Sequence, residues 1–170
     1  MNALICTEAV TPEARTAPFL RMAAEGLLPW AMSAFAAPTL EDWLAITARG
    51  TLLCCADATT GDLLGCGHFT PLQGRVWRFD FTAFRAGFRC AARQARHGFA
   101  HMFRCHGASA IVGITPAPFR HAWRIAGACG FTIAARLPGA CWLARKQEYV
   151  DGVMVVCTPQ SLRLAQQKGE

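Results

Sequence analysis

The sequence is short of several features that mark specialised classes of protein. Charged residues make up 16% of the 170 residues and hydrophobic residues 53%, a balance that excludes an intrinsically disordered chain. The main apolar run, between Glu25 and Glu41, is too short for a membrane span and is interrupted by Pro29 and Pro38. The first ten residues lack a basic stretch followed by a long apolar core. We therefore expect no secretory signal, no membrane partner and a cytoplasmic location.

Cysteine is plentiful, but the spacing of a metal site or a disulfide framework is missing. The nine cysteines are an odd number, and no two of them stand in a C-x-x-C arrangement. Most have apolar neighbours, as in the segment Leu52-Leu53-Cys54-Cys55-Ala56. We interpret them as free thiols that serve as small core residues in a reducing compartment.

The length is that of one domain, and neither a repeat nor a low-complexity linker marks a boundary. We expect a single domain over residues 1–158 and a polar C-terminal tail over residues 159–170. The formal net charge of +6 suits a polyanionic partner. The charge alone does not choose between nucleic acid, a membrane surface and a phosphate-rich cofactor.

The first third of the chain is predicted to be helical. Thr11 can cap a helix that has Pro12 in its first turn. A second helix is expected from Pro38, because Glu41 and Asp42 lie near its positively polarised start.

The middle of the chain has the alternation of a β-sheet. We expect three antiparallel strands joined by short turns, at residues 51–57, 63–70 and 75–83. In the third strand, Trp77, Phe79 and Phe81 share one face, and Arg78 and Asp80 share the other.

The remainder alternates between helices and strands. Helices are expected at residues 88–103 and 116–130, and strands at 109–115, 131–137, 141–146 and 149–157. Because a helix connects them, the strands at 76–83 and 109–115 should be parallel, and we expect them to splay near residue 82. The predicted fold class is α/β (α+β), with a mixed, mostly antiparallel sheet, a central parallel pair and flanking helices.

This order of elements resembles the GCN5-related N-acetyltransferase (GNAT) superfamily over roughly residues 50–157. The best segment is 119–131, an amphipathic helix with a small residue at Ala122 that closes on Gly130 and Phe131. The resemblance implies direct transfer of an acetyl group from acetyl-CoA to an amine, without a metal. The implied partners are acyl-CoA and an unknown amine acceptor, a small molecule or a protein, and a homodimer is allowed.

The resemblance places the acyl-CoA site directly after the third strand. The family signature, Arg/Gln-x-x-Gly-x-Gly/Ala, falls on residues 85–90, where Phe88 replaces the first glycine and Gly87 allows a tight turn. N–H groups at a helix start bind phosphate, so we expect Arg85, Arg89 and the N–H groups of Gly87 and Phe88 at the pyrophosphate. The other predicted cofactor-binding residues are Phe81, Thr82, Ala83, Ala86 and Thr115.

The arginines of this region admit another reading. Arg85, Arg89 and Arg93 are four residues apart and would share one face of an α-helix. Without a phosphate they form an ordinary solvated basic face. We do not expect nucleic acid here, because aromatic residues do not interleave with these arginines on a strand face.

The catalytic positions match the superfamily less closely. The tyrosine that serves many members as general acid corresponds to Ala126, and the only tyrosine is Tyr149. We expect a general base, with Asp80 preferred to His68 on strand position. The alternatives are a structural carboxylate paired with Arg78 or Arg75 and a hydrogen-bonded histidine on a sheet face.

Three further features of the sequence each allow a functional and a non-functional interpretation. Trp30 and Phe35 form an apolar wall for the acceptor or simply cover the core. His97 and His101 are one helical turn apart, but they lack the glutamate of H-E-x-x-H and an evident third ligand, so no metal is expected. The missing tyrosine and weak signature keep open a non-catalytic module that binds acyl-CoA, nucleic acid or a protein partner.

Overall fold

The computed structural model describes residues 3–167, which form one mixed β-sheet with helices on both faces. Its strands are β1 Leu4–Glu8, β2 Thr51–Asp57, β3 Leu63–Gln73, β4 Val76–Ala83, β5 Ala110–Pro116, β6 Thr132–Leu143 and β7 Glu148–Cys157. Its α-helices are α1 Pro12–Ala24, α2 Leu28–Ala31, α3 Leu40–Thr47, α4 Ala91–Cys105, α5 Arg120–Ala128 and α6 Pro159–Gln167. A 3-10 helix, Arg85–Cys90, lies between β4 and α4.

The sheet has the strand order β1-β2-β3-β4-β5-β7-β6. Every neighbouring pair is antiparallel except β4 and β5, which are parallel. The predicted fold class and its central parallel pair are therefore confirmed.

The two parallel strands stay together for only three residues. Val76 pairs with Ala110, and the last pair is Arg78 with Val112. Beyond it, β4 continues along β3 and β5 continues along β7, so a gap opens between them. We predicted that the strands separate near residue 82, but they separate directly after Arg78. The Phe79 ring fills the position directly after the last pair, packed so closely on Gly113 that a Cβ there would lie 2.5 Å from it.

Local signals set the helix ends as expected. The Thr11 hydroxyl accepts a hydrogen bond from the Ala14 N–H at the start of α1. Thr39 and Asp42 form a reciprocal capping box at the start of α3. Gly130 follows α5 with a φ of +86°, a conformation that glycine adopts without steric cost.

The core has two parts, one on each face of the sheet. On one face, α4, α5 and α6 cover Phe69 and Ile111 of the sheet, and Phe99 of α4 and Phe79 of β4 pack in the same cluster. On the other, α1 to α3 cover Leu52. The predicted alternation of β4 is confirmed, because Trp77, Phe79 and Phe81 all pack on the α4 side.

Several sequence predictions about elements were wrong. The first strand, β1, was not expected, and the two strands predicted at 131–137 and 141–146 are one bulged strand, β6, over Thr132–Leu143. Residues 159–167 of the expected tail form α6, because Leu162 is 3% exposed in the α4-side core. Residues 168–170 of that tail lie outside the described residues.

The cysteines are not all free. Cys6 on β1 and Cys55 on β2 are direct cross-strand partners with Cα atoms 4.1 Å apart, and they form a disulfide. Sequence spacing gives no sign of this pair, because 49 residues separate the two positions. The other seven cysteines are free, and Cys66, Cys129 and Cys157 are buried as expected of core thiols.

Candidate active site

A cleft of about 440 Å³ opens between α3 and the neighbouring strands β3 and β4. Its lining residues are Phe35, Asp42, Ala45, Ile46, Arg49, His68, Thr70, Arg78 and Asp80. The sequence predictions found His68, Asp80 and Phe35, and the cleft brings these three together. Arg49 and Thr70 were missed, because only the packing of α3 on the sheet brings them to the cleft.

His68 is the buried titratable group of this cleft. It lies on β3 directly opposite Asp80 on β4, and it is 5% exposed. Its Nε2 atom has no hydrogen-bond partner among residues 3–167. Burial lowers the pKa of His68 below its ordinary 6.5, although the charge of Asp80 acts in the opposite direction. His68 is therefore neutral at neutral pH and has a ring lone pair that can take a proton.

Asp80 is more exposed and already has a partner. Its carboxylate accepts a hydrogen bond from the Arg78 guanidinium at 3.0 Å, and both side chains are 51% exposed. Arg75, the other expected partner, donates instead to the Gly107 carbonyl. Asp80 lies two residues beyond the last β4–β5 pair, so the cleft borders the gap in the sheet.

The 3-10 helix after β4 is fixed to the core by Gln94 of α4. The fully buried Gln94 amide donates to the Gly87 carbonyl at 2.9 Å. The Gly87 N–H donates to the Phe84 carbonyl at 2.7 Å, so this N–H is already used within the loop. The C=O and N–H of a trans peptide point in opposite directions, so the Phe88 N–H points away from Gln94.

The arginines predicted at the pyrophosphate are arranged differently from the expected helix face. Only Arg93 lies in α4, because Arg85 and Arg89 belong to the 3-10 helix, where residues four apart do not align. The Arg85 N–H donates to the Glu25 carboxylate at 2.7 Å, and its guanidinium reaches the Glu25 carbonyl at 3.4 Å. Glu25 also pairs with Arg21 at 2.6 Å, so Arg85 is tied to the end of α1.

Most of the other predicted cofactor residues border the gap. Phe81, Thr82 and Ala83 form the end of β4 after it has left β5. Thr115 lies on the opposite border, where β5 pairs with Val153 of β7. Ala86 follows on the 3-10 helix.

The predicted apolar wall is divided between two places. Phe35 lines the cleft. Trp30 is 54% exposed and packs edge-on against Phe119 at 5.5 Å, beneath the Arg145 guanidinium. It is not among the residues of the cleft, because α2 carries it toward the start of α5 instead.

No tyrosine hydroxyl reaches the cleft. Ala126, at the position of the usual general acid, is 6% exposed and belongs to the α4-side core. Tyr149, the only tyrosine, is 70% exposed on β7 and lies beside Trp142. Of the residues that line the cleft, His68 and Asp80 are the two that the sequence predicted as candidate bases.

A mixed sheet that splits beyond a central parallel pair, with a 3-10 helix and an α-helix after one separated strand, is the GNAT fold. Solved structures agree. A spermidine N-acetyltransferase from Vibrio cholerae in complex with CoA and spermine has a TM-score of 0.76 at 11% identity, covering 94% of this chain and 98% of that one. A GNAT-family acetyltransferase from Bacillus anthracis has a TM-score of 0.72, also at 11% identity, with the same coverage.

A more distant example is ribosomal-protein-S5-alanine acetyltransferase from Vibrio fischeri, with a TM-score of 0.67 at 12% identity over 91% of both chains. No protein-family model and no curated protein matches the sequence. At these identities the structures establish a shared fold. Among the described helices, none has the length and apolarity needed to cross a membrane.

Proposed function

We propose that the protein is an acyl-CoA-dependent N-acyltransferase that moves an acetyl group directly from acetyl-CoA to an amine. One observation carries the proposal: the gap between β4 and β5 opens beside a cleft that holds a buried, neutral histidine. A strand that has lost its neighbour offers main-chain hydrogen bonds to an extended ligand. The pantetheine arm of the donor is such a ligand.

The residues on the donor side fit this role. The N–H groups at Phe81 or Thr82 would polarise the thioester carbonyl, since β5 no longer lies beside this part of β4. The Phe88 N–H and the exposed Arg89 guanidinium would bind the pyrophosphate. Arg85 would act indirectly, by holding the 3-10 helix against Glu25.

On the acceptor side, we propose His68 as the general base, ahead of Asp80. Its position at the cleft and its neutral form support this choice, whereas Asp80 is engaged by Arg78. The amine nitrogen would attack the thioester carbonyl carbon and give its proton to His68. The C–S bond then breaks, and water protonates the departing thiolate, whose pKa of about 8.5 makes it a fair leaving group unaided.

The charges of the cleft favour an acceptor that carries a carboxylate beside its amine, such as an amino acid or a peptide end. Arg49 is exposed at the cleft and has no ion-pair partner among the described residues. Asp42 is occupied by the capping of α3. The Vibrio cholerae neighbour, in complex with spermine, makes a polyamine the competing class.

A non-catalytic module that binds acyl-CoA is the second candidate. The burial of Ala126 favours it, because no side chain replaces the usual general acid at that position. This candidate predicts donor binding without turnover.

Calorimetric titration with acetyl-CoA tests the donor site that both candidates share. We expect one site per chain, and Arg89→Ala should weaken it about tenfold or more, since a charge-assisted contact contributes about 1.5–3 kcal/mol. Arg104→Ala is the matched control, an exposed arginine in the last turn of α4, and should leave the affinity unchanged.

Two outcomes of this titration would count against the proposal. Absence of binding to the parent protein would remove the donor site altogether. Equal losses in the Arg89 and Arg104 variants would mean that acetyl-CoA responds only to overall charge.

A further inference from the structure

Three side chains with metal-ligating atoms meet far from the cleft, near the C-terminal end of α4. The Glu8 Oε1 atom lies 2.8 Å from the Nε2 atom of His101 and 2.8 Å from the Nε2 atom of His106. All three ligand atoms lie within 4.8 Å of one another. The sequence analysis considered only His97 with His101 and expected no metal there; Glu8 could not be linked to His101, because 93 residues separate them.

The backbone that carries these groups is held on both sides. Glu8 ends β1, where it is paired with Leu53 of β2, and the Cys6–Cys55 disulfide ties the same two strands. The fully buried Met102 fixes the last turns of α4 between the two histidines. A site built on such elements keeps its geometry better than one built on loops.

The side chains are partly exposed, which leaves room for solvent ligands. The exposed fractions are 34% for Glu8, 20% for His101 and 24% for His106. The hydrogen bonds with His101 and His106 hold the Glu8 carboxylate between the two rings. Both rings present the same atom, Nε2, to a common centre.

We propose that Glu8, His101 and His106 bind a divalent transition-metal ion such as Zn²⁺, with water completing the coordination. Two imidazoles and one carboxylate are a ligand set that zinc accepts with an open position. Tetrahedral ligands at about 2.0–2.1 Å from the ion lie about 3.3 Å apart, so the Glu8 oxygen must move about 0.5 Å away from each histidine nitrogen. The ion replaces the hydrogens between the rings and the carboxylate, and these move to Nδ1 or to water.

A bound ion would connect β1, at the edge of the sheet, to α4. His101 lies about 15 Å along the helix axis from Ala91, at the end of α4 opposite the 3-10 helix. The ion would therefore stabilise the folded chain by binding it in preference to the unfolded chain. It would not enter the acyl-transfer site.

The test is calorimetric titration of the whole chain with Zn²⁺ in a competing chelator, together with melting temperatures. We expect one ion per chain and a rise in melting temperature. His101→Ala and His106→Ala should each weaken binding by about 100-fold or more, beyond the 10–100-fold typical of losing a supporting hydrogen bond to a ligand. Glu8→Gln keeps the size of the side chain but removes its charge, and it should also weaken binding.

Two control variants separate this site from others. His97 lies on the same helix, and the His97→Ala variant should bind Zn²⁺ like the parent protein. The Cys105→Ser variant, which lacks the exposed thiol next to His106, should also bind Zn²⁺ like the parent. With Co²⁺, the spectrum should lack a thiolate charge-transfer band. Absence of one-to-one binding, or unchanged binding in a folded His101→Ala/His106→Ala variant, would overturn the proposal and leave a hydrogen-bonded cluster only.

Discussion

At the scale of single residues, the proposed chemistry depends on the ionisation of His68. Burial favours its neutral form, Asp80 favours the charged form, and Arg78 opposes Asp80. Because Arg78 and Asp80 form an ion pair beside the imidazole, each variant that removes one of them changes the field at His68 in a known direction.

The pH dependence of the rate follows from these signs. The acid limb of kcat/KM should lie below 6.5, the ordinary pKa of histidine, because the base must be deprotonated. Asp80→Asn should move this limb to lower pH, since it removes the charge that raises the pKa of His68. Arg78→Gln should move it to higher pH, since it removes a charge that lowers that pKa.

His68→Gln is the companion variant for this profile. It should lose about 10²–10⁴-fold in rate and lack the limb, with the melting temperature as the check on folding. Asp80 would replace His68 as the base if His68→Gln kept the parent profile while Asp80→Asn lost the limb.

At the scale of elements, a glycine of β5, Gly113, lies directly after the last β4–β5 pair. Gly113 lies under the Phe79 ring, and Phe79 is enclosed by Phe69, Phe99 and Phe131 with ring centroids 4.9–6.5 Å away. The ring cannot move aside without disturbing the whole cluster. Gly113 therefore packs directly against the aromatic cluster of the α4-side core.

Gly113→Ala should destabilise the protein by about 1–3 kcal/mol, because its Cβ would lie 2.5 Å from the Phe79 ring. Chemical denaturation measures the change. Gly127→Ala is the control, since a Cβ there meets nothing within 4 Å. A Gly113→Ala variant as stable as the parent would show that the ring is free to yield.

The sequence was sufficient for elements whose pattern is local. Strands β2, β3 and β4 were predicted near their observed bounds, because their alternation and turns lie within each segment. Strand β1 was missed, because its five residues, none of them buried, become a strand only by pairing with β2, more than 40 residues away. The contact of Glu25 with Arg85 was missed for the same reason, at 60 residues of separation.

The same limit applied to the candidate site. The alternation of β4 placed Asp80 on the face opposite Phe79 and Phe81, as observed. That His68 lies opposite Asp80 depends on the register of the β3–β4 hairpin, and the burial of His68 depends on its tertiary surroundings. Neither the pairing nor the burial of His68 can be predicted from the local sequence pattern.

At the scale of the whole molecule, a disulfide links the edge strand β1 to its neighbour β2. The Cys6–Cys55 disulfide closes a segment of 49 residues that contains α1 to α3, and a cross-link of this span contributes about 3–4 kcal/mol. The helices beside the cleft therefore belong to a closed loop.

The number of free thiols tests whether this disulfide is present. Alkylation of the unfolded, unreduced protein followed by intact mass measurement should modify seven cysteines, and prior reduction should raise the number to nine. A Cys6→Ser variant should give eight modified cysteines without reduction. Nine modified cysteines in the unreduced parent protein would mean that the pair is not formed.

We propose that the protein transfers an acetyl group from acetyl-CoA to an amine in the cleft of His68. The most direct measurement is the initial rate of CoA thiol release, with mass detection of the acetylated product. The acceptors should span amino acids, peptides and polyamines. We predict turnover with amines that carry a carboxylate. Arg49→Ala should raise the KM for these amines, and His68→Gln should lower the rate to about 1% of the parent value or less. A parent protein that binds acetyl-CoA yet acetylates none of these amines would contradict the claim and leave the non-catalytic module.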